Sequence, residues 1–511
     1  MEEEAIMLAR ETEQLRRKVV ANLTGAPSLQ PLPYPPKITS EGPATDADLD
    51  NALNPVKQSL MELVLTVNQL NRKPEPAQPE LEHRQRSTDS DVTYEIPLTG
   101  AVFNWTVTIT NRGKTVVVNP RVIVNGRRDW FSTSTILNEI LRPDMSDREK
   151  ALAIWTFVTA NRRHDDPCHK GIELIEPVRL FNIYGYGFCK HAAAALAILA
   201  ESAGLRARVW ELAGHVVPEV YFEGGWRMLD PDHKVYYFED DGKTIAGVET
   251  LEVRPDLIRK RGGKTEAEEL VKIYTSTGDN HVSSGWYPEI AKAIAKNPHT
   301  MGYSLRPGES LMRSWSNWGK YFSALYYHEP EVYANGRFIY APEFASDRGL
   351  EGAEAAANVH VTLAQGTWVL APATPERTGD IVYRFSSPYP FVDAAVELQG
   401  TIPTGARMQL SFSENGGNWR TVWTSGRGTQ TRETIRTGGC LRNGYGRPLY
   451  TYFLKLSLSG TAQVRSLRFT SDIQVAPLSL PALESGKNVV RYVDETSASR
   501  DVEIVFAYDR K

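Results

Sequence analysis

The chain has 511 residues, more than one hydrophobic core accommodates, so its length alone predicts several domains. Its composition, 41% hydrophobic and 23% charged, is that of an ordinary folded protein and excludes a disordered or fibrous class. Because the formal charge is only -4 and no long Lys/Arg stripe is present, we do not expect nucleic acid as a partner.

The cysteines and the hydropathy pattern say little about the cellular compartment of the protein. Cys168, Cys189 and Cys440 are odd in number and widely spaced, which predicts at least one free thiol instead of a disulfide framework. No stretch reaches the roughly 18 apolar residues of a membrane span, so we expect none. The start lacks signal-peptide features, but a removed signal would leave the same sequence. We expect a soluble chain; a secreted or periplasmic location and the oligomeric state stay open.

The N-terminal part, residues 1–90, predicts two amphipathic helices, within 2–23 and 46–71, joined and followed by Pro-rich linkers. From residue 91 to 131 the pattern changes to short β-branched runs around the turn Asn111-Arg-Gly-Lys, which predicts β-hairpins. Helical periodicity returns within 132–141 and 146–159. Two further helices therefore precede the segment that carries chemistry.

That segment begins with the glycine-rich aromatic loop Tyr184-Gly-Tyr-Gly-Phe and continues at Cys189 into an Ala-rich run. The run predicts a helix from Cys189 to Ala203, with Gly204 at the position of a C-terminal cap. At the first turn of a helix the unpaired N–H groups and the helix dipole stabilise a thiolate, the nucleophilic form of cysteine. Cys189 is therefore a candidate nucleophile.

The next residues predict three strands: one ending near Leu212, a second from His215 to Phe222, and a third from Trp226 to Leu229. His215 and Asp230 fall at adjoining ends of an antiparallel pair, so we expect their side chains to meet. Pro218 cannot donate to a sheet ladder, and we expect the second strand to be an edge or to be bulged there.

The order G-x-C, helix, G-H, strand, G-W-x-x-x-D-P resembles the core of the transglutaminase-like superfamily, whose fold is related to papain. The resemblance covers about Trp155–Phe238. It implies that Cys189 is the nucleophile, His215 the general base and Asp230 the residue that orients the base. No cofactor is expected. Val217 and Pro218 after the histidine, and the basic neighbours of Cys189, differ from familiar members, so the resemblance does not supply the substrate.

Other residues are candidates because they flank the predicted thiol or offer aromatic and polar groups to a substrate. The candidate substrate-binding residues are Tyr184, Tyr186, Lys190, His191, His169, Trp315 and Trp318. The loop His164-Asp-Asp-Pro-Cys-His169 contains metal-ligand types, but its spacing fits no standard closed site, and we expect no metal. Large aromatic residues more often fill cores and domain interfaces, so core packing is the favoured interpretation of Trp315 and Trp318, and a sugar or peptide platform is the alternative.

The predicted fold class is α+β, a papain-like or transglutaminase-like core between an N-terminal β region and a C-terminal antiparallel β-sandwich. The sandwich is indicated by repeated short alternating strands toward the C-terminus. The predicted divisions are 1–90, helices and linkers; 91–131, β region; 132–250, core; 251–375, mixed aromatic-rich connection; and 376–511, β-sandwich.

Two classes of function follow. The first is a cysteine-dependent amidase, peptidase or acyltransferase that acts on a protein or peptide through a thioester. The second is a polysaccharide-binding or polysaccharide-degrading protein, in which the thiol core is a scaffold or His and Tyr residues supply acid-base groups. The substrate would then be a polysaccharide.

Overall fold

The computed structural model describes residues 79–165, 172–261, 264–276, 280–322, 330, 332–345, 347–426, 430–441 and 447–510. The two predicted N-terminal helices and most of the adjoining linkers lie outside these residues. Strands predominate over helices in the described part. None of its helices combines the length and the apolar character needed to cross a bilayer.

All but one of the described α-helices lie between Thr133 and Lys296. They are α1 (Thr133–Ile140), α2 (Asp147–Ala160), α3 (Pro177–Arg179), α4 (Cys189–Ser202), α5 (Val248–Val253), α6 (Pro255–Arg259), α7 (Lys264–Tyr274), α8 (Trp286–Lys296) and α9 (Gly438–Leu441). A π-helix spans Leu180–Tyr184, and 3₁₀ turns span Ile172–Leu174, Asp347–Leu350 and Pro477–Ser479. The helices predicted within 132–141 and 146–159 are confirmed as α1 and α2.

The strands of the first part of the chain are β1 (Leu81–Ser87), β2 (Asp91–Leu98), β3 (Val102–Asn111), β4 (Val117–Val118), β5 (Arg121–Val124), β6 (Arg163–His164), β7 (Tyr186–Gly187), β8 (Arg206–Leu212), β9 (His215–Phe222), β10 (Gly225–Met228), β11 (His281–Val282), β12 (Ser304–Leu305) and β13 (Ser310–Ser314). Those of the second part are β14 (Ala334–Tyr340), β15 (Ala355–Ala357), β16 (Val359–Ala364), β17 (Thr367–Pro372), β18 (Gly379–Ser386), β19 (Phe391–Thr401), β20 (Arg407–Ser413), β21 (Arg420–Thr424), β22 (Thr431–Arg436), β23 (Thr451–Ser459), β24 (Gln463–Val475), β25 (Gly486–Val493) and β26 (Val502–Arg510).

Helix α4 is the centre of the α+β part. Its alanines from Ala192 to Ala195 and its leucines Leu196 and Leu199 are fully buried. A helix that is apolar on all sides has to be enclosed, and α4 packs against α2, β8 and β9. Small alanine side chains allow these elements to approach the helix closely.

A four-stranded antiparallel sheet with the order β10-β9-β8-β11 lies against α4. The turn between β8 and β9 contains Gly214, whose φ of +73° is in the left-handed region that glycine adopts without strain. The turn pairs Leu212 with His215 and so fixes the register at the start of β9. The three predicted strands are confirmed within one or two residues at each end.

The prediction of an edge or a bulge at Pro218 is wrong. β9 lies between β8 and β10, and its pairing with β8 runs without a register shift, with Val209 opposite Pro218. The Pro218 carbonyl accepts from the Leu229 N–H at 3.3 Å, just beyond the end of β10. Because the N and O of one strand residue point to the same side, the missing N–H faces the end of β10 and leaves the β8 ladder intact.

The remaining β structure consists mainly of a ten-stranded sheet and a five-stranded sheet. In the ten-stranded sheet, β1, β26, β3, β13, β14 and β24 lie side by side in this order. The long strand β24 also pairs with β17, which is followed by β16, and with β19, which is followed by β22. The five-stranded sheet has the order β15-β18-β23-β20-β21. Aromatic side chains of the two sheets are in contact, with ring centroids 4.7 Å apart for Tyr383–Phe469 and 5.1 Å for Phe385–Phe469. The described chain therefore combines an α+β region around α4 with several β-sheets.

The last strands return to the first ones. β26 pairs with both β1 and β3, and β25 lies between β2 and β5. Strands from the predicted β region 91–131 and from the predicted module 376–511 thus share sheets, which local patterns do not reveal.

Candidate active site

Cys189 is the first residue of α4, as the sequence predicts, and its side chain is partly exposed. The preceding strand β7 is held by parallel pairing with β6. The Phe188 N–H at the helix start donates to Nδ1 of His191 at 3.0 Å, which satisfies one of the donors that a helix N-terminus leaves without an intrahelical acceptor. The loop and the first turn therefore hold the thiol in one place.

His215 lies at the start of β9 and is 5% exposed. Its Nε2 is 2.7 Å from Oδ2 of Asp230, and its ring also makes a hydrogen bond with Cys189. Burial by itself lowers the pKa of His215, but the hydrogen bonds and charges of Asp230 and Cys189 outweigh burial and raise it to about 10. At neutral pH the ring is therefore an imidazolium.

Asp230 is fully buried two residues after the end of β10, where several donors converge on its carboxylate. Besides His215, Oδ2 accepts from the Tyr274 hydroxyl at 2.5 Å and lies 3.0 Å from Nδ1 of His233. Oδ1 accepts from the backbone N–H groups of Asp232 at 2.8 Å and His233 at 3.1 Å. Burial raises the pKa of Asp230, but the hydrogen bonds from His215 and His233 outweigh it and hold the pKa well below the usual range.

Tyr274, at the end of α7, acts on this carboxylate from the protein interior. Burial and the charge of Asp230 raise the pKa of the Tyr274 phenol well above its usual value. The hydroxyl therefore keeps its proton and is a permanent donor to Asp230. This contact holds Oδ2 of the carboxylate in one place.

A second carboxylate, Asp232, lies beside the thiol. A sulfur atom of Cys189, a ring nitrogen of His215 and a carboxylate oxygen of Asp232 all lie within 4.8 Å of one another. Arg162 pairs with Asp232 at 2.5 Å and donates to the Gly187 carbonyl at 2.6 Å, two residues before the cysteine. Nδ1 of His164 is 2.9 Å from the same carboxylate. This ion-pair network connects the loop before Cys189 to the turn after Asp230.

The predicted substrate-binding residues near the thiol are placed differently from one another. Lys190 is exposed, whereas Tyr184, Tyr186 and His191 are each only 1% exposed. The Tyr184 hydroxyl donates to Glu173 at 3.4 Å, and His191 caps α4. The side chains of these three residues pack inside the protein, against the loop and the start of α4, and do not face the solvent.

Of the more distant candidates, Trp318 is 4% exposed, and the guanidinium of Arg337 lies 5.0 Å from its ring centroid. Trp315 is half-buried and packs against the hydrophobic core. His169 lies outside the described residues. A platform formed by both tryptophans would need the buried face of Trp318 to open, so the roles of these residues remain predictions.

The residues that the motif did not single out are Arg162, His164, Asp232, His233 and Tyr274. Asp232 and His233 belong to the run Asp230-Pro-Asp-His, and a concentration of acidic and imidazole groups directly after a proposed catalytic aspartate was a signal in the sequence. Tyr274 gave no such signal, because its position depends on how α7 packs on the sheet.

The arrangement supplies a partly exposed sulfur nucleophile, an imidazolium that can donate a proton, and a carboxylate that holds the imidazolium in one orientation. The groups needed for acyl transfer through a thioester are thus in reach of one another. The ring nitrogens and carboxylates are also ligand types for transition metals.

Comparison with solved structures found only low similarity. The C-terminal CBM6 of LamC, a marine laminarinase from Zobellia galactanivorans, is 12% identical over 26% of this chain and 98% of that chain, with a TM-score of 0.19. TmCBM61 in complex with β-1,4-galactotriose is 15% identical over 24% of this chain and 86% of that chain, with a TM-score of 0.15. At these TM-scores neither structure assigns a fold or a ligand to this chain.

The comparison with curated proteins returned no match. A family model does match one segment, which contains most of α1, the helices α2 and α4, and the strands that carry His215 and lead to Asp230. Residues 134–231, a part of the chain, match the Transglutaminase-like superfamily, as the order of Cys189, His215 and Asp230 indicates.

Proposed function

We propose that the protein is a cysteine-dependent enzyme that takes an acyl group from an amide or peptide bond and carries it as a thioester on Cys189. Members of the superfamily matched by residues 134–231 are usually cysteine-dependent enzymes. The observation that carries the proposal is the hydrogen-bonded series from Cys189 through His215 to the buried Asp230.

In the first half-reaction the Cys189 thiolate attacks the carbonyl carbon, and the electron pair of the carbonyl moves onto oxygen. First-turn N–H groups of α4, including that of Cys189, are donors for this oxyanion. When the tetrahedral intermediate collapses, the carbon–nitrogen bond breaks and the leaving amine takes the proton held by His215. The products are an acyl-thioester, a free amine and a neutral imidazole.

In the second half-reaction the neutral His215 takes a proton from the acyl acceptor as that acceptor attacks the thioester. Water as the acceptor releases a carboxylic acid and makes the enzyme an amidase or peptidase. A primary amine makes it an acyltransferase. Asp230 keeps the ring in place through both steps and does not itself transfer a proton, which agrees with its low pKa.

We further propose that the two packed β-sheets formed by β15 to β24 are an antiparallel β-sandwich module that holds a large substrate close to the thiol. The β part contacts the elements that precede Cys189: the Tyr450 hydroxyl donates to Glu173 at 2.5 Å, and the Ala476 N–H donates to the Asn182 carbonyl at 2.8 Å. The substrate of such a module is a protein, a peptide or a polysaccharide, and the five-part division of the chain remains part of this proposal.

The direct test is alkylation of Cys189 by iodoacetamide at mildly acidic pH, quantified for each cysteine by peptide mass spectrometry. We expect Cys189 to react faster than Cys168 and Cys440, which serve as internal references. His215→Ala should slow only Cys189, whereas Lys190→Ala should leave the series from Cys189 to Asp230 intact. Equal rates at the three cysteines, or a rate at Cys189 unaffected by His215→Ala, would refute the proposal.

The reaction class is tested separately with peptide and amide libraries, by searching for a mass increase on Cys189 that hydroxylamine removes. A thioester adduct that is absent from Cys189→Ser supports acyl transfer. Polysaccharide cleavage that is equal in the wild type and in Cys189→Ser would instead favour acid-base glycan chemistry.

A further inference from the structure

Two imidazole nitrogens and one carboxylate oxygen form a small triangle beside the thiol. Oδ2 of Asp230 is 2.7 Å from Nε2 of His215 and 3.0 Å from Nδ1 of His233, and the two nitrogens are 3.1 Å apart. Orienting the general base needs one imidazole on the carboxylate. The second, His233, is not required for that function, and its side chain is 35% exposed.

We propose that His215, His233 and Asp230 form a binding site for a divalent transition metal ion of the Zn²⁺ type, and that the bound ion inhibits the thiol chemistry. The chain was not expected to need a metal, and the ion proposed here is an inhibitor, not a cofactor. The site shares His215 and Asp230 with the proposed function, but metal binding itself does not depend on a reactive cysteine.

The distances are close to those that zinc needs. Zinc–nitrogen and zinc–oxygen bonds of about 2.0 to 2.2 Å place tetrahedral ligands roughly 3.3 to 3.5 Å apart. To reach these separations the side between His215 and Asp230 would lengthen by about 0.6 to 0.8 Å, and the two sides that end on His233 by about 0.2 to 0.5 Å. Two neutral imidazoles and one carboxylate are a common ligand set for zinc, and they leave a fourth position for water.

The surroundings also fit a metal site. Metal-binding carboxylates are normally oriented by further hydrogen bonds, and Asp230 accepts from Tyr274 on Oδ2 and from the Asp232 N–H on Oδ1. These contacts fix the carboxylate before an ion arrives. The partly exposed His233 provides an entry path from solvent, while the burial of Asp230 keeps competing water away from the oxygen ligand.

The bound ion is expected to inhibit the thiol chemistry because it changes which nitrogen of His215 carries a proton. Metal ligation requires an unprotonated Nε2 on His215 and an unprotonated Nδ1 on His233, so binding releases any proton that these atoms hold. His215 then keeps a proton only on Nδ1, the nitrogen that remains for Cys189. It can neither accept the thiol proton nor carry the extra proton that the leaving amine needs.

The test is calorimetric titration of the metal-free full-length protein with ZnCl₂. We expect one site in the wild type, a similar affinity in Cys189→Ala, and at least a roughly tenfold weaker affinity in His233→Ala. His233→Asn is the second variant, because its amide can still donate to Asp230 and preserve folding. His360→Ala, which removes an exposed histidine on β16, is the matched control and should bind like the wild type.

An unchanged affinity in both His233 variants, or a site that Cys189→Ala alone removes, would overturn the proposal. The second outcome would assign the ion to Cys189, His215 and Asp232. Calorimetry on Cys189→Ala separates this inference from the proposed function, because it gives the same result whether or not the thiol is catalytic. In the wild type Zn²⁺ should also slow alkylation of Cys189, and this protection should be lost in His233→Ala.

Discussion

The pairing of His215 with Asp230 makes a quantitative prediction for Asp230→Asn. Raising the pKa of His215 from 6.5 to about 10 corresponds to about 5 kcal/mol in favour of the imidazolium. Asn removes the carboxylate charge and its charge-assisted hydrogen bond, whereas burial, which lowers the pKa, and the contact with Cys189 remain. We expect the pKa of His215 to fall by about 1 to 3.

The assay is NMR of protein carrying histidine labelled with ¹³C at Cε1, titrated from acidic to strongly alkaline pH. The His215 signal is assigned by its disappearance in His215→Asn. In the wild type it should stay at the imidazolium position through neutral pH and change near pH 10, and in Asp230→Asn the change should occur at lower pH. A wild-type His215 that titrates between about pH 6 and 7, as an ordinary histidine does, would refute the reasoning.

The sign of the linked stability follows from the same shift. A histidine whose pKa is raised in the folded state contributes stability that is fully present below about pH 6.5 and is lost as the pH rises through about 10. The unfolding midpoint of the wild type should therefore fall across this range more steeply than that of Asp230→Asn.

Two further predictions concern the sheet that carries the site. Glu219→Ala removes a fully buried carboxylate that accepts hydrogen bonds from Arg208 and Trp210, both at 2.6 Å. We expect the free energy of unfolding, measured with urea, to fall by about 3 to 5 kcal/mol. The exposed Glu397 is the control, and Glu397→Ala should change the free energy of unfolding little. Gly247→Ala places a methyl group 2.7 Å from the Trp226 carbonyl oxygen, whereas nothing lies within 4 Å of a methyl group added at Gly285. The melting temperature of Gly247→Ala should therefore be well below that of Gly285→Ala. Equal melting temperatures would contradict the close packing at Gly247.

The sequence predicted the elements whose signals are local. An Ala-rich run followed by Gly204 predicted the helix that begins at Cys189, because helix propensity and capping depend on neighbouring residues. Alternating strands and short turns likewise predicted the start of β9 at His215. Chemical type and order were enough to nominate Cys189, His215 and Asp230 and to identify the superfamily that residues 134–231 match.

Contacts between residues far apart in the sequence could not be predicted from it and were seen only in the tertiary structure. Tyr274 donates to a carboxylate 44 residues earlier, and β26 pairs with β1 and β3 across almost the whole described chain. Pattern and propensity carry no information about which helix covers which end of a sheet. The same limit applies to His191, which the sequence placed beside the thiol but the packing of α4 directs inward.

The sequence by itself thus determined the candidate nucleophile, its proposed partners and the local elements that present them, since those depend on residue type and short-range geometry. Only the tertiary structure decided that Asp230 is shared by His215, His233 and Tyr274, and that Asp232 lies beside the thiol. These contacts arise where the turn after β10, the end of α7 and the start of α4 are packed together, and packing of separate elements is set by the whole core.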